Sequence, residues 1–492
     1  MLTPDTKADF SHGLFSDLDF SSGAVAAVSG GSDSTALLLL LKDHFDRTAS
    51  GARLLAVTID HGLRPDSAIE ARQVANFCAE RGIAHRILSW HGDKPATGLP
   101  AAAREARYRL LAEAAGAEGI KLILTGHTAD DQAETVLMRQ ARDDDGRGLA
   151  GMAPATLHDW RTWIVRPLLG TRRAALREML QARDIGWIED PTNVDARFER
   201  PRVRAKLAQG DGERRIKEAL ARSQQAAFAR QDIGRRAAML IDAFADRPSP
   251  GLIRLDRDFA GHEDGEAAIY ALRILLAAVG GMSFLANEAR CAKLLSRLRL
   301  GSLCATLSRT VVDARRTGIF LRRENRNLPA PMPPVDNRLW DSRCRITFKD
   351  GPGDLVIAPL GSAAARQASL SEDVPQSLSR AALAAEPSLW SGGVCLGFAG
   401  GNAGLQPIAA VPALAPFARF LPSFDIEPAA ASAALMGAPP LPAPPFHGHD
   451  GGRGWRKLNR HVLFCLARGD ALPMLGRASP LSRARRRAPT GQ

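Results

Sequence analysis

A glycine-rich hexapeptide, Ser29-Gly30-Gly31-Ser32-Asp33-Ser34, constrains the fold of this chain more than any other segment. It follows an apolar run from Ala24 to Val28 and leads directly into a leucine-rich stretch from Thr35 to Leu41. This order predicts a strand, a tight turn and a helix. The backbone N–H groups of such a turn point into one concavity at the positive end of the helix, and the serine hydroxyls add donors. The hexapeptide is therefore predicted to hold phosphate groups.

The hexapeptide differs from the two commonest phosphate-binding loops. A Walker loop places Gly-Lys before Ser or Thr, and the sequence contains no Gly-Lys pair; a dinucleotide fingerprint needs glycines spaced G-x-G-x-x-G. The charged residue here is Asp33. Because a carboxylate beside phosphates needs a cation between them, Asp33 predicts Mg²⁺ or a basic partner. The alternative is an ordinary turn that only caps the helix through Ser32 or Asp33.

Strand-like and helix-like patterns alternate over the first two hundred residues, which predicts an α/β fold with a doubly wound parallel sheet. Ligands of such sheets bind beyond the carboxyl ends of the strands. The hexapeptide, Asp60-His61 and Gly126-His127 each follow a predicted strand, so we expect them to meet at one edge. The predicted strands are Ala24–Ser29, Leu54–Asp60, Ala84–Trp90 and Leu122–Thr125, and the predicted helices are Ser32–Asp46, Asp66–Arg81, Pro100–Ala115 and Asp130–Gln140.

The hexapeptide resembles the pyrophosphate loop of the N-type ATP pyrophosphatases, which cleave ATP between its α- and β-phosphates. Six further segments, in order, resemble the tRNA(Ile)-lysidine synthetases of that group, and the resemblance is strong to about Arg204. It implies an adenine nucleotide alpha hydrolase-like fold, with ATP as co-substrate and Mg²⁺ as cofactor. The segments are Ile59–Arg64, Ala103–Tyr108, Thr125–Thr135, Gly148–Met152, Arg166–Leu169 and Glu189–Asn193.

The resemblance implies a reaction in two halves. The C2 carbonyl oxygen of the wobble cytidine, in the CAU anticodon of tRNA(Ile), attacks the α-phosphate of ATP and expels pyrophosphate. The side-chain amine of free L-lysine then displaces AMP from C2, which gives lysidine. Two alternatives stay open: another adenylating tRNA-modifying enzyme, such as a 2-thiolase, and a non-catalytic RNA-binding protein gated by a nucleotide.

Catalytic and nucleotide-binding roles are carried over only where the sequence matches. Asp33 and Arg107 match catalytic positions of the family. His127 stands before a predicted helix and titrates in the range that proton transfer needs, although a structural histidine is the alternative. Asp60 is expected to contact the adenosine. The residues assigned to pyrophosphate are Ser29, Gly30, Gly31, Ser32, Asp33 and Ser34, and Asp33 is also assigned to Mg²⁺.

Three acidic residues open the helix predicted over 130–140. Asp131 and Glu134 are three apart, so their carboxylates share a face and can receive an ammonium group. They match the lysine-recognising acids of the family. Asp130 points away from that face and is assigned to the metal, the helix start or the nucleotide. The alternative is that all three acids only complement the helix dipole.

Four arginines follow this region and are assigned to tRNA. Basic residues interleaved with an aromatic one, here Phe198, suit an RNA backbone and a splayed base. Relatives usually carry Arg-Asn where this chain has Arg200-Pro201, so the contact from that asparagine is lost. The assigned arginines are Arg197, Arg200, Arg202 and Arg204.

Composition narrows the class of protein. Lys plus Arg number 65 against 53 Asp plus Glu, a formal net charge of +12, which favours a phosphate-rich partner without identifying one. The six cysteines form no C-x-x-C pair, which argues against a disulfide framework, a zinc site and sulfur transfer. The longest leucine-rich run, Ala36–Leu41, is too short for a bilayer, and charged residues precede any apolar segment. We expect a cytoplasmic protein with no membrane partner, and leave a homodimer open.

The length of 492 residues predicts several domains. We expect a catalytic domain over 1–210, a mainly helical connecting and tRNA-binding domain over 211–330, and a small α+β domain over 331–436. A proline-rich and then basic tail over 437–492 is expected to be disordered.

Overall fold

The computed structural model describes residues 13–48, 51–92, 94–142, 146–190, 195, 197–348, 353–368, 374–399 and 408–446. Within these ranges, six strands of the first two hundred residues lie in one sheet. They are β1 (Ala24–Ala27), β2 (Leu54–Asp60), β3 (Ala84–Ser89), β4 (Leu122–Thr125), β5 (Ala155–His158) and β6 (Thr162–Val165). Their spatial order is β5-β6-β4-β1-β2-β3, and all neighbours are parallel except β5 and β6. The four predicted strands and the parallel sheet are confirmed.

Helices cover both faces of this sheet. Val25 of β1 packs with Tyr108 and Leu111 on one face, whereas its neighbours Ala24 and Ala26 belong to the large core on the other face. The alternation follows from the two-residue period of a strand. The doubly wound arrangement is therefore confirmed. The helices are α1 (Ser32–Thr48), α2 (Ser67–Ala79), α3 (Leu99–Ala117), α4 (Ala129–Gln140) and α5 (Arg173–Gln181).

A long helix links the sheet to the next part of the chain. After α6 (Glu199–Leu207), helix α7 (Gly212–Phe244) runs for 33 residues. Its buried residues Ile216, Ala219 and Leu220 pack with the apolar side of α4. This long contact fixes the orientation of α4, which carries the predicted lysine-binding acids.

The region over 211–330 contains more β-structure than the sequence predicts. Besides α7, three helices are present, α8 (Asp258–Gly261), α9 (Gly265–Gly280) and α10 (Glu288–Arg299), and α9 contains the predicted apolar helix. Beside them lies an antiparallel sheet whose short strands leave little periodic signal in the sequence. Its strands are β7 (Ala245–Ser249), β8 (Leu252–Leu255), β9 (Leu303–Leu307), β10 (Thr310–Arg315) and β11 (Gly318–Arg323).

The described residues of the C-terminal part form two small antiparallel sheets and three α-helices. Trp340, Ile346 and Leu389 form part of a core there that is separate from the core of the catalytic sheet. The strands are β12 (Leu339–Trp340), β13 (Cys344–Phe348), β14 (Val356–Pro359), β15 (Pro387–Ser391), β16 (Val394–Phe398), β17 (Ile408–Pro412) and β18 (Phe420–Pro422), and the helices are α11 (Gly361–Gln367), α12 (Gln376–Leu383) and α13 (Ile426–Met436).

The end of the predicted C-terminal domain belongs structurally to the catalytic sheet. Strand β18 pairs antiparallel with β5 and becomes the seventh strand, and α13 packs against α7. Asp425 is buried between them. Burial alone would raise its pKa, but Arg230, Arg147 and the hydroxyl of Tyr270 together hold the pKa of this carboxylate below its ordinary value. The structure thus differs from the expectation that 331–436 forms one separate unit.

The tail expected to be disordered over 437–492 is ordered in its first part. Trp160 and Trp163 donate their indole N–H groups to the carbonyls of Pro439 and Ala443 at 3.1 and 3.0 Å. The prediction is therefore wrong for 437–446, because prolines suit an extended segment held by such donors. Residues 447–492 lie outside the described part of the chain.

No helix in the described ranges combines the length and the apolar character that crossing a membrane requires.

Gln132 is predicted to be a major support of the site-bearing helix α4. It is buried, and its Nε2 lies within 3.3 Å of the carbonyls of Ala150 and Met152 and the hydroxyl of Ser223, while its Oε1 accepts from Met152 N. We expect Gln132→Leu to lower the free energy of unfolding by about 2–4 kcal/mol, because buried polar groups lose their partners. Urea denaturation measures this, with the exposed Gln140→Leu as control; equal stability of the two variants would contradict it.

Candidate active site

The turn between β1 and α1 has the shape that its glycines permit. Gly30 has a φ of +84°, a conformation that favours glycine, and a Cβ at Gly30 would lie 2.6 Å from Cδ1 of Ile188. Ile188 N also donates to the carbonyl of Gly30 at 2.9 Å. The segment after α5 therefore packs directly on the predicted phosphate loop and leaves room only for glycine.

Serine hydroxyls stabilise this loop from within. The hydroxyl of Ser34 donates to the carbonyl of Gly31 at 3.1 Å and accepts from the amide of Ser29 at 3.1 Å. Ser32 Oγ donates to Asp33 Oδ1 at 3.1 Å. The local structure is thus fixed before any ligand binds, and the phosphate contacts of these residues stay a prediction.

The end of β4 rests on the same loop. A Cβ at Gly126 would lie 2.8 Å from the carbonyl oxygen of Asp33 and 3.0 Å from the amide nitrogen of Ser34. This close approach brings the segment that begins with Gly126-His127 against the hexapeptide. The two segments, far apart in sequence, share one edge of the sheet as the strand alternation predicts.

Arg173, the first residue of α5, joins three of the predicted acidic site residues. Its Nε donates to Asp33 at 2.8 Å, its Nη2 donates to Asp131 at 3.0 Å, and its Nη1 lies 3.5 Å from Glu134. The guanidinium is mostly buried, so solvent screens these attractions weakly. One cation therefore holds the assigned metal ligand and the assigned lysine-binding pair in a single cluster.

The surroundings of Asp33 shift its pKa. Burial raises the pKa of Asp33 above its ordinary value, and the charge of Asp131 acts in the same direction. The Coulomb attraction and hydrogen bond of Arg173 oppose the rise without cancelling it. Asp33 consequently takes up a proton more readily than a surface aspartate does.

Asp131 and Glu134 also have partners other than Arg173. Asp131 accepts from the amide and the hydroxyl of Thr128, both at 2.9 Å, and so completes a capping box at the start of α4. Glu134 is 1% exposed, and its two oxygens accept from Nε and Nη2 of Arg204 at 2.8 and 3.1 Å. Asp131 thus stabilises the start of α4, as the helix-dipole alternative proposes, and it also belongs to the acidic cluster.

Asp130 joins the starts of two helices of the site. Its carboxylate accepts from the amide of Arg173 at 2.7 Å and from the guanidinium of Arg172 at 3.2 Å. These bonds tie the start of α4 to the start of α5. The position agrees with the assignment of Asp130 to the helix start, and its assignment to Mg²⁺ or the nucleotide stays a prediction.

His127 lies in an electropositive surrounding. Burial and then the charges of Arg166 and Arg107 lower its pKa well below the ordinary value. The ring Nδ1 lies 2.9 Å from Oγ1 of Thr125. His127 is therefore a weaker base than an ordinary histidine, which disfavours the proton-accepting role, and the structural alternative stays open.

The same cations surround Tyr108. Burial alone would raise its pKa, but Arg166, Arg107 and Arg104 outweigh burial and lower the pKa to about 7. The guanidinium carbons of Arg104 and Arg107 lie 5.0 and 5.3 Å from the centre of the Tyr108 ring. Arg107 thus belongs to a positive group that can attract phosphate, next to the acidic cluster.

Asp60 shapes the loop that follows β2. Its Oδ1 accepts from the amide of Gly62 at 2.8 Å, a turn that aspartate commonly makes. The carbonyl of Gly62 accepts from Nζ of Lys94 at 3.1 Å. The predicted contact of Asp60 with the adenosine stays a prediction.

The four arginines assigned to tRNA separate into two pairs. Arg200 and Arg204 point towards the acidic cluster, where Arg200 donates to Oγ1 of Thr135 at 3.1 Å. Arg197 pairs with Asp195 outside the cluster, and Arg202 donates to the carbonyl of Arg197. The outer pair keeps the exposure that RNA binding needs, whereas the inner pair is engaged with the site itself.

Sequence reasoning missed Arg173, Arg166 and Ile188 as parts of the site. Arg166 and Ile188 lie in or beside segments that carried the family resemblance, but their side chains had no assigned role. Arg173 stands in an ordinary amphipathic helix, and only the packing of α5 on α1 brings it to the carboxylates. One signal for Arg173 was present in the sequence, because a carboxylate beside phosphates, here Asp33, needs a cation or a basic partner.

The donor groups of the acidic cluster limit how it could hold a metal ion. Within the described residues, no three His, Cys, Asp or Glu side chains converge as metal ligands. Mg²⁺ commonly takes only one or two carboxylates and fills its remaining positions with phosphate oxygens and water. Asp33, at the mouth of a loop shaped by glycines, fits that mode as a single protein ligand.

Comparison with known proteins agrees with this geometry. Residues 7–210 match the family model of the PP-loop domain. The fold and the loop define the class: an α/β enzyme domain that binds ATP through a pyrophosphate loop.

Relatives along the whole chain define the family. The chain is 63% identical over 451 residues to the tRNA(Ile)-lysidine synthase of Mesorhizobium japonicum, which covers 90% of this chain and 99% of that protein. It is 38% identical to the tRNA(Ile)-lysidine synthase of Rhizobium meliloti, over 86% of this chain and 93% of that one. The chain therefore belongs to the tRNA(Ile)-lysidine synthase family.

Gly126→Ala should damage the site more than the fold. The new Cβ would collide with the backbone of Asp33 and displace the loop, so we expect adenylation to slow by on the order of tenfold to a hundredfold. Steady-state kinetics measure this. Gly116→Ala is the control, because nothing lies within 4 Å of a Cβ there; equal rates in both variants would refute the close packing.

Arg173→Gln should move the acid limb of the pH–rate profile to higher pH. Arg173 lowers the pKa of Asp33, so its removal leaves burial and Asp131 to raise that pKa further. Activity that needs ionised Asp33 is then lost earlier as the pH falls. Profiles of kcat/KM for ATP test this, with Arg183→Gln, which breaks only the ion pair with Asp43, as control. An unshifted limb would disprove the coupling.

Proposed function

We propose that the site carries out both halves of lysidine formation: adenylation of the wobble cytidine of tRNA(Ile) with a CAU anticodon, and displacement of AMP by L-lysine. The observation that carries this proposal is the cluster in which Arg173 joins Asp33 of the phosphate loop to Asp131 and Glu134. A nucleotide-splitting site and an ammonium-binding site then share one crevice. Family membership and the PP-loop match support the same reaction.

The first half needs the pyrophosphate held as it leaves. The cytidine O2 forms a bond to the α-phosphorus while the bond from that phosphorus to the bridging oxygen breaks. The hexapeptide binds the departing phosphates through backbone N–H groups and the hydroxyls of Ser29, Ser32 and Ser34. Arg107 stabilises charge on the transferred phosphate.

Mg²⁺ has a limited assigned place in this scheme. Asp33 would hold the ion, and the ion would neutralise charge on the triphosphate. Since Arg173 is bonded to Asp33, the guanidinium keeps the carboxylate oriented until nucleotide binds.

The second half needs a lysine whose amine becomes nucleophilic. We assign the ammonium group to Glu134 and Asp131, where it would replace the guanidinium of Arg204. The exchange substitutes one cation for another, so no buried carboxylate is left without a partner. The ammonium group first releases one proton to solvent. The neutral amine nitrogen then bonds to C2 while the bond from C2 to the oxygen of AMP breaks, and AMP leaves with that oxygen.

The outer arginines give the RNA a route to the crevice. Arg197 and Arg202 lie on the same short segment as Arg200 and Arg204, so a strand bound by the outer pair would arrive at the acidic cluster. The cytoplasmic location is the part of the proposal that rests on sequence alone, and a homodimer stays open.

The alternatives have less support. A thiolase of this loop type commonly needs paired cysteines, and the described cysteines are not paired: Cys78, Cys291 and Cys344 are buried singly. Their burial raises the pKa of each thiol, which disfavours a reactive thiolate. A non-catalytic RNA-binding protein would not need the three carboxylates that Arg173 joins beside the phosphate loop.

The decisive experiment follows label into RNA. The full chain is incubated with ATP, Mg²⁺, radiolabelled L-lysine and unmodified tRNA(Ile) with a CAU anticodon. We expect label on that RNA and none on the same RNA with C34 replaced by U. Label on neither RNA, with active ATP cleavage, would contradict the proposed acceptor.

Glu134→Gln should impair lysine use without impairing adenylation. The amide keeps the shape of the side chain but loses the charge that attracts the ammonium, so the KM for lysine should rise on the order of tenfold or more. AMP formation and lysine incorporation are measured separately, with the exposed Glu178→Gln as control. An unchanged lysine KM would remove Glu134 from the binding site.

A further inference from the structure

A second cleft lies at the opposite edge of the catalytic sheet. It has a volume of about 970 Å³ and is formed by α3, the β5–β6 hairpin and two C-terminal segments around Arg338 and Arg419. Lys121 and Arg161 line it, and they directly precede the parallel strands β4 and β6. The active-site residues instead follow the parallel strands. None of the residues assigned above to the active site lines this cleft.

The cleft carries an excess of positive charge. Each of its three carboxylates is paired with one arginine: Glu113 with Arg109, Asp159 with Arg345, and Glu105 with Arg419. Three further cations line it, and among the described residues their side chains form no ion pair. They are Lys121, Arg161 and Arg338, and all three are exposed.

A buried histidine also faces the cleft without a full set of partners. His158 is 5% exposed and lines the cleft, and its Nδ1 has no hydrogen-bond partner among the described residues. Its neighbour Phe420, on β18, adds a partly exposed aromatic surface. A buried polar atom that lacks a partner is costly unless a ligand or water satisfies it. Unpaired cations, a free ring nitrogen and an aromatic face together match a phosphate-bearing nucleic acid.

We propose that this cleft binds the phosphate backbone of the substrate tRNA outside its anticodon arm. The inference rests on the proposed function. The cations lie on the exposed rim of an open cleft, which suits a strand passing across it better than an enclosed small anion. The seven residues of β2 alone span roughly 20 Å between the two edges. Helices cover both faces of the sheet, so an RNA has to pass around them and its path is longer than this distance. The nucleotides next to the reacting cytidine therefore stay at the active edge, and a different part of the RNA reaches the cleft.

Residues of the C-terminal region form part of the proposed RNA-binding cleft. Asn337, Arg338 and Arg345 lie beyond residue 210, where the match to the PP-loop model ends, and they complete a cleft that the catalytic sheet forms only in part. RNA binding would then depend on the joining of the two regions through β18.

The test compares two double variants with the same change in charge. Arg161→Ala/Arg338→Ala removes two unpaired cations of the cleft. Arg72→Ala/Arg366→Ala removes two exposed arginines of α2 and α11, outside both the cleft and the region expected to bind tRNA. Filter binding gives the Kd of each protein for full-length tRNA(Ile) and for its isolated anticodon stem–loop, over a range of salt concentrations. Thermal unfolding checks that both variants are folded.

We expect only the cleft variant to bind full-length tRNA more weakly, by about tenfold or more near 0.1 M salt. Its slope of log K against log salt should be smaller in magnitude by roughly 1.5, for two lost phosphate contacts. Its affinity for the stem–loop should match that of the wild type. Equal behaviour of both variants, or an equal loss on the stem–loop, would overturn the inference while leaving the proposed function intact. Failure of the wild type to bind either RNA would instead overturn the proposed function, and this inference with it.

Discussion

One buried guanidinium holds the site together. Arg173 contacts Asp33 at 2.8 Å and Asp131 at 3.0 Å and lies 3.5 Å from Glu134. Three carboxylates at such separations would repel one another strongly in a partly dry crevice without a cation between them. The loop assigned to phosphate and the helix assigned to lysine are thus coupled by charge, and a change at one carboxylate alters the environment of the other two.

The remainder of the fold supports this cluster. Helix α7 holds α4 from behind through Gln132 and Ser223, and the buried carboxylate of Asp425 anchors the C-terminal end against α7 and α9. Strand β18 extends the catalytic sheet with residues from the far end of the chain. The catalytic region therefore does not stand apart from the C-terminal region, and the linear order of the sequence conceals this.

The parts predicted from sequence are those determined by local pattern. The strands from β1 to β4 and the helices from α1 to α4 follow from apolar periodicity, and Gly30 follows from its turn. Arg173 could not be predicted, because its role depends on the packing of α5 against α1 and on no local motif. The same holds for β18 and for the ordered segment 437–446, whose partners lie far away in the chain. The bonds of Asp130 to Arg172 and Arg173 could not be predicted either, because they depend on the packing of α5 beside α4.

A crystal structure with L-lysine, Mg²⁺ and a non-hydrolysable ATP analogue would show whether ATP and lysine share one crevice. We expect the triphosphate on the 29–34 loop and the lysine ammonium within hydrogen-bonding distance of Glu134, with Arg204 displaced from that carboxylate. Lysine bound away from Glu134, or Arg204 still paired with Glu134 beside a fully bound lysine, would contradict a shared crevice.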